Sequence, residues 1–175
     1  ILYMWRSGDG KTGQCYGYQG IYQSNDHART WVETKAVWNF STKENEGFFV
    51  PTFLQFGQDY RGARDKYVYS YAPEHTVSVN KGTDNDGNEN WDVNLPGKIN
   101  LMRVPKKSIN DGSAYSFFSG FSEEGKPQWS KNVKDRQPVF EDSKNGVMRT
   151  SVIYNPGLKR YILTVQQVGR YRELE

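Results

Sequence analysis

The sequence predicts an all-β chain built from short antiparallel strands. Three observations carry this reading. No stretch of about ten residues repeats its apolar positions at the helical period, whereas alternating and short apolar runs recur throughout. Aromatic residues are abundant, with 5 Trp, 12 Tyr and 9 Phe among 175 residues, and such rings pack well on a pleated surface. The 17 Gly and 7 Pro interrupt the chain often, as many short strands joined by turns require.

Residues 1–5 read as a buried strand, and residues 15–23, rich in Tyr, as a second. A polar turn leads to residues 30–35. Residues 50–56 are mostly apolar and are expected to be buried on both faces. Residues 67–71 alternate Tyr with smaller side chains, residues 99–104 alternate again, and residues 115–121 are aromatic. Residues 147–154 and 160–165 flank Asn155-Pro156-Gly157, a strong turn signal.

A long-range regularity organises these strands. Trp31 and Trp129 stand 98 residues apart, and Gly47 and Gly146, each just before an apolar strand, stand 99 apart. The chain thus reads as an internal repeat in which an outer strand bearing Trp crosses a loop and restarts at an apolar inner strand. Four antiparallel strands per unit is the layout of a β-propeller blade. The excess length falls in the polar stretch 73–98, read as an inserted loop. Residues 1–173 are expected to form one partial β-propeller domain of about two and a half blades, with 174–175 read as vector residues before a purification tag. A closed propeller needs at least about four blades, so the chain reads either as a fragment or as half of a homodimer that completes the ring by exchanging strands.

Composition excludes several classes. A formal net charge of +3 lacks the surplus that nucleic-acid binding calls for, so no nucleic-acid partner is expected. A single cysteine, Cys15, rules out an intrachain disulfide, and no Cys/His spacing suits zinc. No apolar run approaches the length of a membrane-spanning helix, so no membrane insertion is expected. A chain opening directly on a strand suggests a cleaved or truncated parent. No cofactor is expected to be required. Residues 83–92 alternate oxygen donors of the kind calcium takes, but the EF-hand pattern fails and a polar loop is the preferred reading.

The segment Ser24-Asn25-Asp26-His27-Ala28-Arg29-Thr30-Trp31 resembles the Asp-box, Ser-x-Asp-x-Gly-x-Thr-Trp, of sialidases and other glycan-active β-propellers. Ser24, Asp26, Thr30 and Trp31 match, and Ala28 stands where the motif has glycine. The resemblance implies a turn between the third and fourth strands of a blade, away from the active site, so that Asp26 is structural. Asp26 suits a turn-closing acceptor and Trp31 a plug between sheets. The segments 51–54, with the strand after it, and 151–154, followed by Lys159-Arg160-Tyr161, look similar to the inner hairpins of arabinanase-like and sialidase-like glycosidases. A secreted or periplasmic carbohydrate-active protein with an oligo- or polysaccharide partner is what the resemblance implies. The reading from another class is a non-catalytic glycan-binding or scaffold propeller.

Blade topology then orders the candidates. The pocket is expected where inner strands begin, at the loops 6–13, 41–49, 73–98 and 131–146. Glycoside hydrolysis takes two carboxyl groups, one protonated and one charged. Asp9, Glu44, Glu46, Glu74, Asp135, Glu141 and Asp142 lie on these loops, and Glu141 and Asp142, just before an inner strand, are the catalytic candidates. Arg136, Arg149, Arg6 and His75 are the substrate-binding candidates: an Arg fork suits a sugar carboxylate, and His75 suits a base in a lyase-type mechanism. For each of these acids, and for His75, the competing reading is a solvated loop residue. For Arg149 it is an ion pair to a neighbouring blade. The charged run 58–65 reads as a tight turn whose Asp59, Arg64 and Asp65 pair internally.

Overall fold

The computed structural model describes residues 2–6, 18–39, 51–57, 60–74, 97–147 and 149–167. Among them the chain is all-β, with helix confined to short 3-10 turns, and no sheet closes on itself. A first antiparallel sheet has the order β1 (Leu2–Arg6), β2 (Tyr18–Gln23), β3 (Val32–Asn39). The second runs β4 (Thr52–Phe53), β5 (Tyr67–Pro73), β6 (Lys98–Pro105), β7 (Ser116–Phe121), β8 (Pro127–Ser130), with β9 (Pro138–Glu141) also on β6. The third is the hairpin β10 (Thr150–Asn155) and β11 (Arg160–Val165).

β6 is the spine of the second sheet. Its alternation sends Asn100, Met102 and Val104 to one face and Leu101 and Arg103 to the other. On the first face Met102 and Val104 join Ala72, Tyr115 and Phe117 in a core shared with Ile21 and Ala36 of the first sheet. On the other face Tyr69 and Tyr71 pack with Leu54 and Phe56 against Val152, Tyr154 and Leu163 of the third sheet. Burial pushes the Tyr71 hydroxyl up to about 12. The second sheet is thus held between the other two. Beyond β4, the Gln55 amide donates to Val152 O at 3.1 Å and Gln55 O accepts from the Tyr154 amide at 2.9 Å. The chain at Gln55 therefore runs parallel to β10.

The strongest turn signal forms as its residues dictate: the Asn155 side chain accepts the Leu158 amide at 2.9 Å and joins β10 to β11. Two expectations need correction. Residues 131–146, read as loop, contain a 3-10 turn (Val133–Asp135) and β9. The repeating unit of four strands is, in the middle sheet, six. The cause is the length of β6. β7 pairs it only at Met102 and Arg103, and β9 takes the other end at Lys98 to Asn100. Two short strands therefore share one side of a long one.

The two ends of β6 lie about 23 Å apart, from seven residue steps of extended chain. Beyond Pro105, the Asn110 amide meets Gln23 at the end of β2, next to the turn 24–31. The Lys106 amide donates to Lys66 O at 2.9 Å, so the connection from β4 to β5 is at this end too. At the Lys98 end lie Glu74, just past β5, and Glu141, the last residue of β9.

Candidate functional site

The Lys98 end holds a polar group embedded in the core margin. The Glu74 amide donates to Lys98 O at 2.8 Å, and Lys98 pairs with Glu141. Residues opposite one another in an antiparallel ladder project to the same face. Glu74, Lys98 and Glu141 therefore form a row across three strands, on the face that meets the first sheet. Asn100, fully buried, donates from Nδ2 to Glu74 Oε2 at 3.4 Å. Arg136 approaches Glu74 Oε1 at 3.6 Å, with side-chain exposures of only 8% for Arg136 and 14% for Glu74. A second Arg136 nitrogen donates to Val133 O at 3.0 Å, which fixes the guanidinium over the 3-10 turn. In so dry a setting the attraction between the two charges is far stronger than at a surface, and removing either partner strands the other.

Asp142 has a different role. Its carboxylate accepts from the amides of Lys144 and Asn145 at 3.1 and 2.9 Å, from Asn145 Nδ2 at 3.0 Å and from Gln167 Nε2 at 2.7 Å. The Asn145 bonds above all hold it down at about 2, so it is charged near neutrality and unsuited to proton donation. Its bond to Gln167, just past β11, ties it to the third sheet, as Arg149 is tied: the Arg149 carbonyl accepts the Gln166 amide at 2.9 Å. The four residues expected to share one cleft have different bonding partners. Arg136 meets Glu74, in the row that ends at Glu141, whereas Asp142 and Arg149 bond to residues just past β11. Glu141 and Arg149 are both exposed. Arg6 ends β1 opposite Tyr18, and its side chain lies outside the described residues. His75, Asp9, Glu44, Glu46, Asp59 and the run 83–92 also lie outside them.

Lys98 and Asn100 were missed as site residues. The signal was legible: Asn100 stands at a core-facing position of an otherwise apolar alternation, where a polar residue calls for a reason.

At the opposite end the turn 24–31 is a closed hydrogen-bond network. Asp26 accepts from the Thr30 hydroxyl at 2.6 Å, the Thr30 and Arg29 amides at 2.9 and 3.0 Å and the Ser24 hydroxyl at 2.7 Å. These bonds, led by the Thr30 hydroxyl, lower it to about 2. Ser24 Oγ accepts the Ala28 amide at 2.9 Å. His27 and Ala28 both take left-handed backbone, φ 60 and 67. Trp31 is 38% exposed at the start of β3 rather than buried between sheets, whereas Trp129 is packed, with the Arg103 guanidinium 3.9 Å from its ring centre.

Of the charged run 58–65, Asp59 lies outside the described residues, so the expected internal pairing is seen only from Arg64 and Asp65. Asp65 accepts from the Tyr67 amide at 2.8 Å and the Tyr69 hydroxyl at 2.7 Å, and Arg64 lies over the Tyr154 ring, 4.4 Å from its centre. Among the described residues no three His, Cys, Asp or Glu side chains gather as a metal site. No helix of the described residues is long and apolar enough to cross a membrane. Comparison of the chain with protein-family models and with curated proteins finds no match.

Proposed function

We propose that the chain is part of a glycan-directed β-propeller, its three sheets standing as successive blades and its sugar site lying at the Lys98 end of the middle one. Two features support the blade reading: the closed Asp26 turn, with Ala28 left-handed at the motif's glycine position, and the parallel run of Gln55 beside β10, as first strands of adjacent blades would have. The observation that carries the functional reading is the Glu74–Arg136 pair with Asn100, a largely buried polar group at the end away from that turn. Such groups bind hydroxyls and carboxylates of sugars with little reorganisation. Work on extracellular glycans suits a secreted or periplasmic protein.

The reaction proposed is glycoside hydrolysis. Glu74 and Glu141 sit on one face two strand spacings apart, about 10 Å between backbones, from which their side chains can reach the carboxyl separation of about 6.5–9.5 Å that inverting hydrolysis uses. Glu74, faced by Arg136, is the member to hold charge and activate water. Glu141 is the member to protonate the leaving oxygen. A binding-only reading is favoured by one observation: the Glu74 carboxylate is already engaged by Arg136 and Asn100, bonded rather than free to activate water.

The test combines a glycan array with reducing-sugar release from a panel of oligosaccharides. Glu141→Gln is the informative variant, because Glu141 is exposed and its loss leaves no buried partner. Turnover by the wild type that falls at least about 100-fold in Glu141→Gln, with binding kept, supports the hydrolase. Binding without turnover in the wild type selects the binding-only reading. Neither binding nor turnover contradicts both.

A further inference from the structure

The end of the molecule away from Glu74 carries a second surface of a different kind. Three connections meet there. Residues 60–66 lead into β5, residues 106–111 follow β6, and residues 156–160 lead into β11. They are in contact. The Lys106 amide donates to Lys66 O at 2.9 Å, and the Lys106 ammonium lies 5.2 Å from the Tyr60 ring centre. Tyr60 meets the Phe56 ring at 5.1 Å, Phe56 meets Tyr161 at 6.2 Å, and Tyr161 meets Tyr154 at 5.0 Å. Arg64 stacks on Tyr154 from the other connection. An aromatic floor therefore links all three.

This floor is rimmed by positive charge. The three connections hold seven basic residues and two acidic ones, a surplus of five in a chain whose formal net charge is only +3. Arg64, Lys66, Lys106, Lys107, Lys159 and Arg160 are all exposed. Of the two acids, Asp65 is engaged by Tyr67 and Tyr69, and Asp111 by the amide and hydroxyl of Ser113. Positive charge concentrated on one end of a nearly neutral molecule attracts polyanions and releases their counterions.

We propose that this surface docks an anionic polysaccharide, its charged groups taken by the arginine forks and lysines around the aromatic floor. The rings distinguish this partner from a nucleic acid. Single-stranded nucleic acid is held by open aromatic faces on which bases stack. Here Tyr154 carries the Arg64 guanidinium and Tyr60 faces the Lys106 ammonium, so of these rings Tyr161, half-exposed, keeps a face for a base, and one ring is no platform for successive bases. A sulfated or carboxylated sugar chain asks only for charge and donors. The surface does not depend on the sugar site at the Lys98 end. It would let an anionic chain bind far from that site and hold the protein on its substrate or matrix.

The experiment measures binding of dextran sulfate, neutral dextran and single-stranded oligothymidylate to the intact chain at several salt concentrations. The expected result is binding of dextran sulfate alone, weakening steeply between about 50 and 200 mM salt. The variant Lys106→Glu/Lys107→Glu lies on an exposed 3-10 turn with no buried residue and should lose about tenfold or more in affinity, with an unchanged thermal transition. Lys126→Glu, on the hairpin between β7 and β8, reverses one charge away from this end and should shift affinity less than about twofold, against a severalfold loss for its charge match, Lys107→Glu alone. Absence of dextran sulfate binding overturns the proposal. So does an equal loss in Lys126→Glu, which would mean diffuse attraction, or binding of oligothymidylate as tight as dextran sulfate, which would make the partner a nucleic acid.

Discussion

Ala28 takes φ 67 in a turn whose other groups are already fixed by Asp26 and Ser24. An L side chain in that region costs roughly 1–2 kcal/mol, which the surrounding bonds must offset. Glycine removes that cost and gives back about 0.5–1 kcal/mol through the freedom it adds to the unfolded chain. Ala28→Gly is therefore expected to stabilise the protein by about 0.5–1 kcal/mol, read as a higher denaturant midpoint at unchanged slope. A lower midpoint would mean that the methyl makes a packing contact that outweighs the strain. The Ser, Asp and Thr of this turn were legible because short side chains that accept amides at fixed offsets leave a pattern in sequence. The exposure of Trp31 was not, because burial depends on what covers β3.

At the scale of elements, the seam between β9 and β6 rests on Gly97. Its φ is 74, and a Cβ there would stand 2.3 Å from Asp142 O and 2.8 Å from Gly146 Cα. Backbone, not a flexible side chain, occupies the space. Gly97→Ala is expected to cost about 2 kcal/mol or more, seen in denaturant unfolding, with early loss of amide protection at Asp142, whose amide donates to Gly97 O. Unchanged stability would mean that this turn is looser than described. β5 and β6 were readable because each alternates over seven or eight residues with one face buried. β9 was not. Pro-Val-Phe-Glu is too short to show a period, and it becomes a strand only because β7 leaves the start of β6 unpaired. The bonding partners of the candidate residues were hidden for the same reason. Sequence placed Arg136, Glu141, Asp142 and Arg149 on one end, but which sheet each turns toward follows from strand register, a long-range property.

For the whole molecule, the arrangement is a sheet with a core on each face and a different chemistry at each end. The apolar middle, Met102 and Val104 on one side and Leu54, Phe56 and Val152 on the other, joins the three sheets. The Lys98 end gathers buried, balanced charge, with Arg136 against Glu74. The far end gathers exposed, unbalanced charge. The central claim is that the balanced end is the sugar site. The most direct test is a crystal soaked with neutral oligosaccharides, which the basic end has no electrostatic reason to hold. The account predicts sugar density within hydrogen-bond reach of Glu141 and the Glu74–Arg136 pair. Density at the Asp26 turn or over Lys106 and Tyr161, with the Lys98 end empty, would contradict it.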